Sequence, residues 1–189
     1  LASLAYVNGW VVPFVDEKMI YTMMVAVLVF DGFNFRRKAK CFAGDVGAVS
    51  IAFVILFLLG RLILETGDWS YIIFLAVYGV DSVLTIIHRL MLHENIGLPH
   101  RKHMYQLMAN ELKIPHVVVS SVYMVLQLFI AAGLLWLPID HWVYFFCVIS
   151  CLMVIYVVLV KKYYPLHEAY LKQKKKEIRM IAVEPAESP

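Results

Sequence analysis

Residues 117–137 and 142–160 form two runs of 21 and 19 residues without a charged side chain. As helices rising about 1.5 Å per residue, each is long enough to cross the roughly 30 Å hydrocarbon core of a bilayer. The rest of the chain agrees with that solvent. Of 189 residues, 62% are hydrophobic and 16% charged, against about 45–50% and 25% in a soluble domain. The mean hydropathy of +0.75 would leave a water-soluble globule with apolar patches in contact with water.

Three further segments have spanning length. Residues 46–64 are interrupted only by Arg61, whose long stem can carry its charge to the interface. Residues 69–87 carry a lone Asp81 near the middle, and residues 19–35 a lone Asp31 near the end. Residues 1–15 are uncharged but contain Asn8, Gly9 and Pro13, and read as the remnant of a helix. The expected fold is all-α: a polytopic transmembrane helix bundle of about five spans plus the N-terminal remnant. It occupies residues 1–162, and 163–189 form a basic tail too polar to pack, with a frayed end.

Basic residues give the sidedness, because loops rich in Lys and Arg stay in the cytoplasm. Alternate loops hold 15 of the 17 basic residues, and the opposite set holds only Lys18 and Arg61. The 36–45 loop, the 88–116 segment and the C-terminal tail are therefore expected inside. The net charge of +3 is mild, so nucleic acid is not implied. Cys41, Cys147 and Cys151 form neither a pairable framework nor a Cys-x-x-Cys metal motif.

Chemistry is to be sought on that basic face. Asp45 opens the 46–64 span between Gly44 and Gly47. It can act as an N-cap, accepting orphan amide hydrogens. It can also hold a divalent cation at the membrane surface, with the two glycines admitting a diphosphate close to the backbone. Asp81, inside a span, costs about 2.5–3.5 kcal/mol unless it faces protein or water, which marks either a functional group or a packing hydrogen bond. Arg89 lies eight residues on, near the same helical face, so the two can share a polar seam. Five of the seven histidines fall between His88 and His116, where Pro99 and Pro115 bracket a candidate surface helix. Within this stretch, Pro99-His100-Arg101-x-His103 suits a diphosphate, since guanidinium grips phosphate oxygens and imidazole moves protons near neutral pH. A metal cluster of His93, His100 and His103 is the alternative.

Taken in order, Gly44-Asp45-x-Gly47, Tyr78-Gly79-Val80-Asp81, Arg89 and Pro99-His100-Arg101-x-His103 resemble the polyprenyl-phosphate N-acetylhexosamine-1-phosphate transferases, glycosyltransferase family 4. The resemblance runs from about residue 31 to 129 and covers the C-terminal half of such an enzyme. It implies a bacterial inner-membrane protein with a cytoplasmic active face, Mg2+ as cofactor, and a UDP-N-acetylhexosamine and a polyprenyl phosphate lipid as substrates. UMP is released, and a cell-envelope polysaccharide is begun. By position, Asp45 matches the magnesium-binding acid. Asn34 matches an Asn lining the nucleotide-sugar pocket, and His100, Arg101 and His103 match the catalytic inner loop. Gly44, Gly47, Asp81 and Arg89 join the substrate-binding set, and a homodimer is a further expectation.

Two departures are visible. Met104-Tyr105-Gln106 follow His103 where many members carry consecutive histidines, and no Asp-Asp pair occurs. The chain therefore reads as a piece that is inactive alone. Two other classes compete. A histidine-box di-metal oxidase needs more clustered histidines than this chain has, and a non-catalytic transporter or membrane anchor would use Asp81 and Arg89 as pathway or packing residues.

Overall fold

The computed structural model describes residues 1–36, 40–97 and 102–183, with side-chain surroundings given as far as residue 165. His100 and Arg101, together with Pro99, lie outside the described residues. The described chain is helical and contains no strand among its described residues. Its elements are α1 (Ala2–Trp10), α2 (Glu17–Asn34), α3 (Gly44–Thr66), a 3-10 segment (Trp69–Leu75), α4 (Ala76–Met91), α5 (Met104–Asn110), α6 (His116–Trp136) and α7 (His141–Val183).

Among the described residues, four stretches are long and apolar enough to cross a membrane: Gly44–Thr66, Trp69–Met91, His116–Trp136 and His141–Pro165. The protein is a polytopic helical membrane protein. The segment expected as a fifth span forms the helix α2, but its 18 residues include Glu17, Lys18 and Asp31, and it is not among those four. Outward-facing side chains such as Phe53, Phe129, Phe146 and Val154 are exposed, as lipid-facing positions are.

The chain divides into two compact units, residues 1–78 with 116–149 and residues 79–115 with 150 onward. In the first, α3 contributes Leu58, Leu59, Leu62 and Ile63 to a core that also contains Tyr71, Ile73, Ile130, Ala131 and Leu134. The Trp69–Met91 span does not begin as an α-helix. Asp68 caps a 3-10 start by accepting from the Ser70 amide at 2.9 Å. The change to α-helix at Ala76 leaves backbone groups that lipid cannot satisfy. Gln127 of α6 satisfies them, accepting from the Val77 amide at 3.1 Å and donating to the Ile73 carbonyl at 2.9 Å. Asn8 does similar work after α1, its Oδ1 accepting from the Phe14 and Val15 amides at 2.9 and 3.0 Å.

The tail departs from expectation. The backbone of α7 stays helical to Val183, well past residue 163. Polarity excludes packing in a core but not helix formation. After Pro165 the chain reaches Val183 without Gly or Pro and carries four Lys, two Glu, two Leu and two Ala, all good helix formers, and extending an existing helix requires no new nucleus.

Candidate functional site

Two places collect the residues that the sequence singles out, one in each unit. The first is the start of α3. Ala43 occupies the N-cap position without a side-chain cap bond, and Gly44 follows with φ of +61°, a left-handed conformation suited to glycine. The Gly47 amide closes the first turn on the Ala43 carbonyl at 3.1 Å, and a Cβ on Gly47 would come within 3.1 Å of the Ala43 Cβ. Gly47 is thus explained by close approach of the chain to itself. The N-cap reading of Asp45 is corrected: Ala43 holds the N-cap position and the left-handed Gly44 starts the helix directly after it, so Asp45 falls inside the first turn. There its carboxylate is exposed, near the positive end of the helix dipole.

The loop before α3 turns back on α2. The Lys40 amide donates to the Phe33 carbonyl at 3.0 Å, and Arg36 Nε donates to the Gly32 carbonyl at 2.8 Å. Asn34, the last residue of α2, is half-buried, and its carbonyl accepts from the Arg36 amide at 2.8 Å. An apolar cleft of about 430 Å³ is lined by Val27, Phe30, Phe42, Gly47 and Ile51 among others. Asp45 therefore stands two residues from the wall of a cleft with hydrocarbon character.

The second place is the row Asp81, Thr85, Arg89 on α4, spaced by four residues so that all three share one face. Each is almost fully buried, at 2%, 0% and 2% exposure. The polar seam expected for Asp81 and Arg89 is present, and it is turned toward the protein's own loop. Asp81 Oδ1 accepts from the Met104 amide at 2.9 Å and from Thr85 Oγ1 at 3.2 Å, and the Tyr105 amide lies 3.5 Å from Oδ2. His103 Nδ1 is 3.7 Å from the same carboxylate, and the His103 ring stacks on Tyr105 with centroids 5.4 Å apart. Thr85 Oγ1 also shares a hydrogen bond with Tyr156 Oη at 2.8 Å.

Arg89 closes the other end of the loop. Its Nη2 donates to the Asn95 carbonyl at 2.6 Å, Nη1 to the Ile96 carbonyl at 3.3 Å, and Nε to Glu94 at 3.3 Å. Glu94 pairs in turn with Lys102, whose ammonium also reaches Tyr164 Oη at 3.2 Å. The turn begins where His93 takes φ of +53° and the Glu94 amide bonds the Arg89 carbonyl at 3.0 Å, ending α4. The bracketed surface helix exists as α5, between Pro99 and Pro115, with Met104 and Leu107 buried against Tyr156.

The loop's charges are tuned by these contacts. The Lys102 hydrogen bond and charge, with help from Arg89, hold the Glu94 carboxyl below its ordinary range against a smaller opposing effect of burial. Burial would lower the Lys102 pKa, but hydrogen bonds to Glu94 and Tyr164 outweigh it and hold the ammonium above its usual value. A depressed carboxyl contributes stability above its unfolded pKa and loses it as pH falls through the folded one. A raised ammonium contributes below its unfolded pKa and loses stability as pH rises through the folded one. The tie therefore holds across the neutral range and is lost on the acid side below about pH 4. Thermal unfolding of the purified protein should show an acid-side loss of stability that is smaller in Glu94→Gln. An identical acid limb in both proteins would remove Glu94 from this role.

His93 is exposed at the end of α4, and among the described residues no three His, Cys, Asp or Glu side chains converge as a metal would require. Sequence reading missed Thr85, Glu94, Lys102, Tyr156 and Tyr164. The four-residue spacing from Asp81 could have pointed to Thr85, and an acid set among the basic residues between His88 and His103 to Glu94. Tyr156 and Tyr164 carry no local signal. Compared with models of known families, with curated proteins and with solved structures, the chain matches none of them.

Proposed function

We propose that this protein is part of a UDP-N-acetylhexosamine:polyprenyl-phosphate sugar-1-phosphate transferase working at the cytoplasmic face of the bacterial inner membrane. The observation that carries the reading is an exposed carboxylate, Asp45, in the first turn of a membrane-spanning helix, beside an apolar cleft. A prenyl phosphate asks for that pairing: hydrocarbon surface for its chain and a polar helix start for its head group.

Mg2+ fits this donor set. The ion is commonly held by one or two carboxylates, with substrate phosphates and water completing its shell, and Asp45 supplies one accessible carboxylate. When bound, it would neutralise charge on the phosphate oxygens. In the reaction, an oxygen of the lipid phosphate forms a bond to the sugar-bearing phosphorus of the UDP-sugar. The bond from that phosphorus to the bridging oxygen breaks, and UMP leaves with the electron pair. The chain's own contribution is positioning and electrostatics. By the resemblance, Arg101 and His100 would grip the diphosphate, and His103 would donate to it. Asn34 would line the sugar-nucleotide pocket.

Asp81 and Arg89 are hydrogen-bonded to backbone of their own loop, which counts against a transport pathway through them but is the packing role that an anchor would give them. The direct test is UMP release from a UDP-N-acetylhexosamine by membranes containing the full-length protein, with polyprenyl phosphate and Mg2+ added. Release is expected to require both additions. In the same assay Arg101→Ala should weaken nucleotide-sugar binding about 10- to 100-fold, the scale of one charge-assisted hydrogen-bonding group. No UMP release would refute the proposal.

A further inference from the structure

The sequence places Asp81 among substrate-binding groups, but its surroundings suit a different task. α5 has seven residues, too few for an isolated helix to hold its shape. Its N-cap residue, His103, is extended and offers no side-chain cap bond to the helix. The first amides of α5 are nevertheless met, because Asp81 on α4 reaches across 23 residues of sequence to accept from Met104. A carboxylate at a helix N-terminus satisfies orphan donors and complements the dipole. Behind it, Thr85 donates to Asp81 and shares a hydrogen bond with Tyr156. Tyr156 itself packs on Met104 and Leu107. The same carboxylate stands 3.7 Å from His103 Nδ1, and the Tyr105 ring stacks on that of His103.

We infer that Asp81, backed by Thr85 and Tyr156, is a positioning group: it fixes the start of α5 and with it His103, and does not itself meet substrate. This rests on the transferase reading for its catalytic consequence, but its structural core can be tested without it. Hydrogen exchange of the 103–107 peptide is measured in the detergent-solubilised full-length protein for wild type, Asp81→Ala, Asp81→Asn and Tyr156→Phe, alongside kcat and KM for UMP release.

Asp81→Ala should speed exchange of the Met104 and Tyr105 amides at least tenfold while leaving peptides of α3 and α6 unchanged. Asp81→Asn, which keeps one acceptor oxygen, and Tyr156→Phe, which loses only a hydroxyl, should each give about a threefold effect. Activity should follow the same order through kcat, with KM for the UDP-sugar shifting less than threefold. Unchanged exchange in Asp81→Ala, or a raised KM without faster exchange, would overturn the inference and return Asp81 to substrate contact. Faster exchange with full activity would overturn its positioning role. If wild type itself releases no UMP, the transferase reading fails, while the exchange data still decide whether Asp81 anchors α5.

Discussion

Replacing Asp45 by Asn in the full-length protein is expected to lower transfer by at least about a thousandfold, the scale of losing a main electrostatic group at a phosphoryl-transfer centre. Stability should barely change. Asp45 is exposed in the first turn of α3 and is not the N-cap. Its interaction with the helix dipole is therefore worth only about 0.3–1 kcal/mol. This asymmetry makes the experiment decisive, since a structural acid would lose folding and activity together. The measurement is UMP release beside expression level and thermal midpoint. Retained turnover would take Asp45 out of the metal-binding role. A protein that no longer inserts would mean that the carboxylate is structural.

The opposite pattern is expected at Arg89. Its guanidinium is buried and bonds the Asn95 and Ile96 carbonyls and Glu94. Truncation to Ala removes the shared donor of a turn whose residues are themselves half-buried or exposed, so water can replace part of what is lost, and the cost is about 1.5–3 kcal/mol, the scale of hydrogen bonds to a charged group. Arg89→Ala should therefore lower the thermal midpoint of the purified protein and open the 92–97 segment to protease. Activity should fall at least tenfold as a consequence. Arg89→Lys should recover only part of this, because an ammonium is a point charge and cannot span three acceptors as the planar fork does. Full stability in Arg89→Ala would show that the loop is held elsewhere.

These two residues differ in how much of their setting could be read from the chain. Asp45 was recognisable as an acid at a span start, because the uncharged run and its flanking glycines are adjacent in sequence. Its place in the turn was not, since the helix begins where Gly44 adopts φ of +61° rather than where the pattern starts. Arg89 was assigned to a polar seam from its spacing to Asp81. That spacing says which face the two share, but not that the face meets the turn of residues 94–96. The 3-10 start of the Trp69–Met91 span was hidden for a related reason: its backbone groups are completed by Gln127, about fifty residues away.

Membrane residence, the helical class and the approximate limits of the spans followed from the residue order, because hydrocarbon length and uncharged runs are sums over neighbours in the chain. What Asp81 and Arg89 hold was settled by folding. A buried charge takes whichever donors and acceptors packing brings within about 3 Å. Here those are the Met104 amide and the Asn95 and Ile96 carbonyls, and no local pattern names them.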